Sequence, residues 1–183
     1  MKTAEGALIP GRECGACTVC CQVPPIDDPA LTKPSGVLCV NCISNACSIY
    51  ERRPRSCRVY YCQWRYLSVL HEDWRPDRSG VLIDARPHIG ADGKDSLAMV
   101  LMIFADHAVV FDEGFARLVA IWTDRGDEVI LSLLVDDCSR GWEAALRPFV
   151  AEGVTAGSLQ QVKTGIRAAY LDIMRRAQGM KGG

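Results

Sequence analysis

No Gly-x-Gly-x-x-Gly, no phosphate-binding loop, no Gly-x-Ser-x-Gly and no His-Glu-x-x-His occurs in the 183 residues. The absence excludes the common nucleotide-cofactor, serine-hydrolase and helical zinc-protease patterns. No catalytic residue is assigned, and whether the chain is an enzyme stays open. Histidine is scarce: the three, His71, His88 and His107, each lie in or beside a turn-like stretch, and none has the i,i+4 pairing of a helical metal site. They read as surface imidazoles. No apolar run approaches the ~18 residues of a membrane span. Residues 1–13 show no apolar stretch between a basic start and a small-residue cleavage site, so a cytoplasmic protein with reduced thiols is expected. An excess of either charge is missing too, with 21 Lys and Arg against 22 Asp and Glu and a net of −1.

What the chain has is cysteine. There are 10, and all but Cys138 fall between residues 14 and 62: Cys14, Cys17, Cys20, Cys21, Cys39, Cys42, Cys47, Cys57 and Cys62. A disulfide framework belongs to short chains in oxidising compartments. Here the adjacent Cys20 and Cys21 would each need a separate partner at disulfide geometry. Thiolates at Cys-x-x-Cys spacing can instead face one soft cation through a tight turn, so the reading is metal. Zinc takes four N or S ligands in a tetrahedron. The pairs Cys14/Cys17 and Cys39/Cys42 can complete one site, leaving Cys20, Cys21, Cys47 and Cys57 for a second. The pairing stays open, because a shared-thiolate binuclear site or an iron–sulfur cluster would use the same inventory. Cys138 follows Asp136 and Asp137, whose charge would raise its thiol pKa, and it reads as a structural thiol.

Composition divides the chain. Residues 1–66 hold 18 Ile, Leu, Val, Met, Phe, Trp or Tyr, whereas 79–137 hold 25 in 59 positions. The first part is too poor in apolar side chains to close a good core by burial alone. Structural zinc can replace that core, contributing on the order of 10 kcal/mol or more in small cysteine-rich units. The expected organisation is a metal-organised unit over 1–70 and an α+β body over 71–183, a small, mostly antiparallel sheet with helices. Charge follows the same division: net +3 over 51–78, −7 over 79–137 and +4 over 138–183. That pattern suggests complementarity within the molecule more than a nucleic-acid footprint.

In the body, Val81–Ala85 and Leu97–Phe104 read as strands separated by a turn at Asp92-Gly93. The second is apolar on both faces and should be central and covered on each side. A short strand is expected over Ala108–Phe111. A helix N-capped by Asp112, with Phe115, Leu118, Val119 and Trp122 on one face, should follow, stopped by Gly126. Glu128–Val135 is the next expected strand, and Trp142–Arg147 is expected as helix up to a break at Pro148. Ser158 and Gln161 form a capping box for a terminal helix over 158–178, striped by Leu159, Val162, Ile166, Tyr170, Ile173 and Ala177.

Three stretches carry a family resemblance: Cys14-Gly-Ala-Cys17-Thr-Val-Cys20-Cys21, then Cys39-Val-Asn-Cys42, then Cys47-Ser-Ile-Tyr50-Glu51-Arg-Arg-Pro54-Arg-Ser-Cys57-Arg58. On them the sequence resembles the CxxCxxCC cysteine-cluster proteins, the YkgJ-like family described as zinc- or iron-chelating. The resemblance covers roughly residues 12–66, and Cys62 with Trp64 looks like an extension present in only some relatives. It implies metal chelation by the cysteines and no settled activity.

Between Cys47 and Cys57, Pro54 sets a turn that can return Cys57 toward Cys47. Arg53 or Arg58 can donate to thiolate sulfur, with Glu51 holding one guanidinium in place. The aromatics Tyr60, Tyr61, Trp64 and Tyr66 interleave with Arg58 and Arg65. They read as an apolar wall between the two parts, ahead of a clamp for single-stranded nucleic acid. The expected function is zinc binding by closed cysteine sites with a structural or interaction role. The alternative is an iron–sulfur, metal-transfer or redox protein on the same cysteines. Neither a membrane nor a nucleic-acid partner is expected; a protein partner and the oligomeric state stay open.

Overall fold

The computed structural model describes residues 7–90, 93, 95–135 and 142–179. Their architecture is α+β: a mixed sheet of four strands carries helices on one face, and two small hairpins precede it. The expected turn at Asp92 and the thiol of Cys138 lie outside the described residues.

The hairpins are β1 (Ile26–Asp28) with β2 (Leu31–Lys33), and β3 (Cys42–Ile43) with β4 (Ala46–Cys47). Short helices α1 (Arg55–Val59) and α2 (Pro76–Ser79) follow. In the sheet, β5 (Val81–Ile89) runs antiparallel to β6 (Asp95–Ile103), β6 parallel to β7 (Glu128–Leu133), and β7 antiparallel to β8 (Trp142–Ala145). Helix α3 (Glu113–Asp124) makes the crossover between the parallel strands, a connection too long for a hairpin. Helices α4 (Arg147–Thr155) and α5 (Leu159–Gly179) close the chain.

Side-chain alternation sends successive residues of a strand to opposite faces, and here both faces are covered. Val81, Ile83, Leu101, Ile103, Val129, Leu131 and Leu133 pack with Phe115, Val119, Val150, Val162, Ile166 and Ile173 of the helices. Leu82, Val100 and Met102 point the other way and meet Val19 and Val23 from the cysteine-bearing segment. The near-continuous apolar run of β6 is therefore a central strand, as its sequence predicts. Trp64 and Leu70 join the helix-side core, 2% and 0% exposed, so Trp64 is not available to stack on a base. Arg12 ties the N-terminal segment to this wall: its guanidinium donates to the carbonyls of Trp64, Leu67 and Leu70.

Two local expectations are corrected. Residues 107–111 form a 3₁₀ turn, not a strand. Both edges of β6 are already taken by β5 and β7, and the Asp106 carboxylate accepts from the Ala108 N–H at 2.8 Å and caps the turn. Trp142–Ala145 is a strand, and the helix begins at Arg147 with Pro148 in its first turn. Pro148 thus starts a helix instead of breaking one, since a first-turn N–H has no intrahelical acceptor. In α5, Ser158 Oγ accepts from the Gln161 N–H at 3.4 Å. Of the expected stripe, Val162, Ile166, Ile173 and Ala177 are buried and Leu159 and Tyr170 half-buried, and Ala169 is buried beside them. Each fully buried Val or Ile there contributes about 1.5–3 kcal/mol.

Candidate metal centre

The nine described cysteines are all free thiols. Local backbone geometry explains how they are presented. Gly15, at φ 54°, lets the chain reverse so that the Cys17 N–H donates to the Cys14 carbonyl at 2.9 Å. The Cys42 N–H reaches the Cys39 carbonyl at the same distance, 2.9 Å. Ser44 and Asn45, at φ 49° and 57°, make the two-residue loop of the β3–β4 hairpin. Positive φ at both central residues is the type I′ condition that matches strand twist, and it sets Cys42 directly opposite Cys47. Asp28 accepts the Ser56 N–H at 3.2 Å and so anchors the helix that carries Cys57.

The thiols fall into two overlapping neighbourhoods, with Cys20 common to both. Cys14, Cys17, Cys20 and Cys62 line a cavity of about 30 Å³ together with Tyr60, Tyr61, Val19, Pro76 and Leu82. Burial pushes the Cys62 thiol up to about 12, with the charges of Cys14 and Cys17 adding to the effect. Burial also raises Cys17, while the Val19 and Asp77 backbone N–H groups face its sulfur and favour the thiolate. Arg65 donates to Cys14 Sγ at 3.6 Å, a long, weak contact, and its guanidinium lies 5.1 Å from the Tyr61 ring centroid.

In the second neighbourhood Cys21 is central. Its thiol is held far above the ordinary range, first by its interaction with Cys20, then by burial. Burial and then the charge of Cys21 raise Cys42. Burial raises Cys57, with Cys21, Cys39 and Cys47 contributing. A backbone bond from the Cys39 N–H to the Cys21 carbonyl, 2.8 Å, locks the two segments together.

This grouping differs from pairing Cys14/Cys17 with Cys39/Cys42. Cys39 is tied through its backbone to Cys21, and Cys62 stands beside Cys14 and Cys17. The expected outer groups also lie elsewhere. Arg53 donates to the Tyr50 carbonyl at 2.9 Å and covers the Tyr50 ring, and Glu51 and Arg58 are exposed. Among the described residues, none of the three hydrogen-bonds to sulfur.

Lys33 is the residue that reading the sequence missed. It is 4% exposed, and its ammonium donates to the carbonyls of Gln22, Pro24 and Pro34 at 2.7, 2.7 and 2.9 Å. Burial lowers its pKa, and the charges of Cys39, Cys21, Cys20 and Cys57 oppose that shift. A buried cation near several thiols favours their ionised form. Nothing in the local pattern Leu-Thr-Lys-Pro distinguishes it from a surface lysine.

The donor set is made of soft thiols, with the Val19 and Asp77 N–H groups turned toward the Cys17 sulfur. The arrangement is gathered without being closed: among the described residues no three His, Cys, Asp or Glu side chains already stand as a metal-holding group. A larger open cleft of about 530 Å³ runs past Trp74, Asp106 and Phe115 and contains no cysteine. Among the described residues no helix is long and apolar enough to cross a membrane. Comparison with protein-family models, with curated proteins and with solved structures returns no match to this chain.

Proposed function

We propose that the chain is a metal-binding protein that takes up zinc through its N-terminal cysteines, and that the bound metal organises residues 1–70 into an interaction surface. The observation that carries this reading is the convergence of free thiols from distant positions. Cys14 and Cys62 line one cavity although 47 residues separate them in the chain, and the described cysteines are all free thiols. The thiols are partly buried. Thiolate ligation to one or more cations stabilises a unit of this kind. The buried Lys33 ammonium supports the same conclusion, as does the resemblance to the cysteine-cluster family.

Support for an interaction role comes from the loops that carry the cysteines. Val37, Leu38, Val40, Ile43 and Tyr50 are 47%, 52%, 81%, 59% and 58% exposed. Several apolar side chains left in water along one segment suit a partner surface better than an isolated monomer face. The reduced thiols fit a cytoplasmic setting.

Elemental analysis and an ultraviolet–visible spectrum of anaerobically purified protein test the reading. A colourless protein with stoichiometric zinc, lost in part from Cys17→Ser and Cys42→Ser, is expected. Charge-transfer bands that bleach with reductant would replace zinc by iron–sulfur. Protein isolated without metal, and unable to bind zinc under reducing conditions, would end the metal reading.

A further inference from the structure

We propose that Cys42 and Cys47 form an oxidation site, a dithiol that a hydroperoxide converts to a disulfide within the β3–β4 hairpin. The proposal does not rest on the metal-binding reading, because two facing thiols and an oxidant are all it needs. Both cysteines are free in the structure.

The register of the hairpin carries the argument. Ser44 and Asn45 form the two-residue loop, so Ile43 and Ala46 are the pair that closes it. In an antiparallel ladder, hydrogen-bonded and non-hydrogen-bonded pairs alternate. The Ser48 N–H donates to the Asn41 carbonyl at 2.9 Å, which marks the pair beyond the cysteines as hydrogen-bonded. Cys42 and Cys47 lie between those two pairs and are therefore a non-hydrogen-bonded pair. Residues opposed in that way have Cα atoms about 4.5 Å apart, with side chains on one face at the closest approach a ladder allows. That separation lies within the roughly 4.4–6.8 Å that a disulfide spans.

Neighbouring cysteines lack this combination of facing and access. Cys20 and Cys21 are consecutive, and Cα atoms about 3.8 Å apart across a trans peptide are too close for ordinary disulfide geometry. Cys39 is 7% exposed. Around the half-buried Cys42 and Cys47, by contrast, Ile43, Ser44, Asn45 and Ala46 are all exposed, so a small oxidant reaches the pair.

The chemistry balances with the hydroperoxide as oxidant. One sulfur attacks a peroxide oxygen, the O–O bond breaks, and the thiol becomes a sulfenic acid as the first water leaves. The second sulfur attacks the sulfenic sulfur, the S–S bond forms, the S–O bond breaks and a second water leaves. Two thiols give up two electrons and two protons, and hydrogen peroxide is reduced to two waters. Thiol–disulfide exchange reverses the step. In the oxidised form the hairpin is stapled across the strands that hold the exposed Ile43.

Differential alkylation tests the assignment. The reduced full-length protein, as purified, is treated with one equivalent of hydrogen peroxide. Free thiols are blocked with light iodoacetamide, disulfides are then reduced, and the released thiols take a heavy label read residue by residue by mass spectrometry. Heavy label should appear together at Cys42 and Cys47. In Cys42→Ser the label at Cys47 should fall at least tenfold, and in Cys47→Ser the label at Cys42 should do the same. Ser44→Pro fixes φ at about −65° where the loop needs a positive value. Oxidation of the pair should then slow at least tenfold. Ser44→Asn combined with Asn45→Gly keeps the type I′ turn and should leave the rate unchanged or raise it.

Heavy label shared by Cys14 and Cys17, by Cys39 and Cys42, or by Cys21 and Cys42 in the wild type would overturn the assignment. So would the absence of any heavy label, or sulfinic acid on single cysteines as the peroxide product. An unchanged rate in Ser44→Pro, or a tenfold slower one with Asn-Gly in the loop, would show that the hairpin register does not set the pair.

Discussion

Replacing Lys33 by Met keeps the length of the side chain and removes its charge, which separates two roles that the ammonium combines. The first is structural. Three carbonyls, those of Gln22, Pro24 and Pro34, accept from Nζ, and methionine leaves them without a donor in a site that is 4% exposed in the native protein. Hydrogen bonds to a charged group are worth about 1.5–3 kcal/mol each. The gross loss is offset by several kcal/mol of desolvation that the buried ammonium no longer costs. A net destabilisation of about 3 kcal/mol of the metal-free protein follows. The second role is electrostatic and appears only when Cys39, Cys21, Cys20 and Cys57 ionise around a cation. Losing the countercharge should then weaken zinc binding by at least tenfold, about 1.4 kcal/mol. Urea denaturation of Lys33→Met and wild type, with and without Zn²⁺ under reducing conditions, reads both terms from one thermodynamic cycle. The zinc-bound variant should lose more stability than the metal-free one. Equal losses would reduce Lys33 to a cap for three carbonyls and remove it from the metal centre. No loss in either state would refute the buried geometry itself.

Gly165→Ala should destabilise the protein by about 3 kcal/mol or more in thermal or chemical denaturation, because a Cβ there would collide with the Phe149 carbonyl where α4 crosses α5, a backbone contact that cannot yield cheaply. Asp84, on β5 and partly buried, has its carboxyl pushed up by burial, with the Ala85 N–H and Arg86 opposing. A carboxyl whose folded pKa lies above its unfolded value adds stability at low pH that is lost as pH rises through the folded pKa. Asp84→Asn should therefore be more stable than wild type at neutral pH, and the gap should close as pH falls toward the ordinary carboxylate range, as denaturation at several pH values would reveal. Chelation should strip hydrogen-exchange protection from amides around Cys39–Tyr50 while those of Leu97–Ile103 keep theirs; simultaneous loss in both would mean that the two parts unfold as one unit.

The parts of the fold that were legible in the sequence are those where one local signal suffices. Phe115, Leu118, Val119 and Trp122 recur at helical spacing and are buried on one face of α3. The run Leu97–Ile103 is apolar on both faces and is a central strand. Where the signal depends on who already occupies the neighbouring position, it was not legible. Ala108–Phe111 has strand composition but no free sheet edge beside β6. Pro148 has the same chemistry whether it ends a helix or begins one, and the deciding fact is the short β8 strand just before it. In the candidate centre, cysteine spacing named the thiols but not their companions. Cys62 joins Cys14 and Cys17 through tertiary placement alone, and the nearby cations are Lys33 and Arg65 instead of Arg53 and Arg58.

The alternation of the sheet strands also explains why the cysteine segment sits where it does. An antiparallel sheet with one solvated face reads apolar on alternate positions, yet β6 is apolar at Val100 and Met102 as well as at Leu101 and Ile103. Its second face therefore needs a cover, and α3, α4 and α5 are committed to the first. Val19 and Val23 provide that cover, and they flank Cys20 and Cys21 in the chain. The same short stretch thus buries apolar surface on one side and presents thiols on the other. Leu82 belongs to both environments, packing with Val19 on the sheet and lining the cavity shared by Cys14, Cys17, Cys20 and Cys62. The apolar contacts that position Cys20 and Cys21 are therefore contacts with the sheet itself.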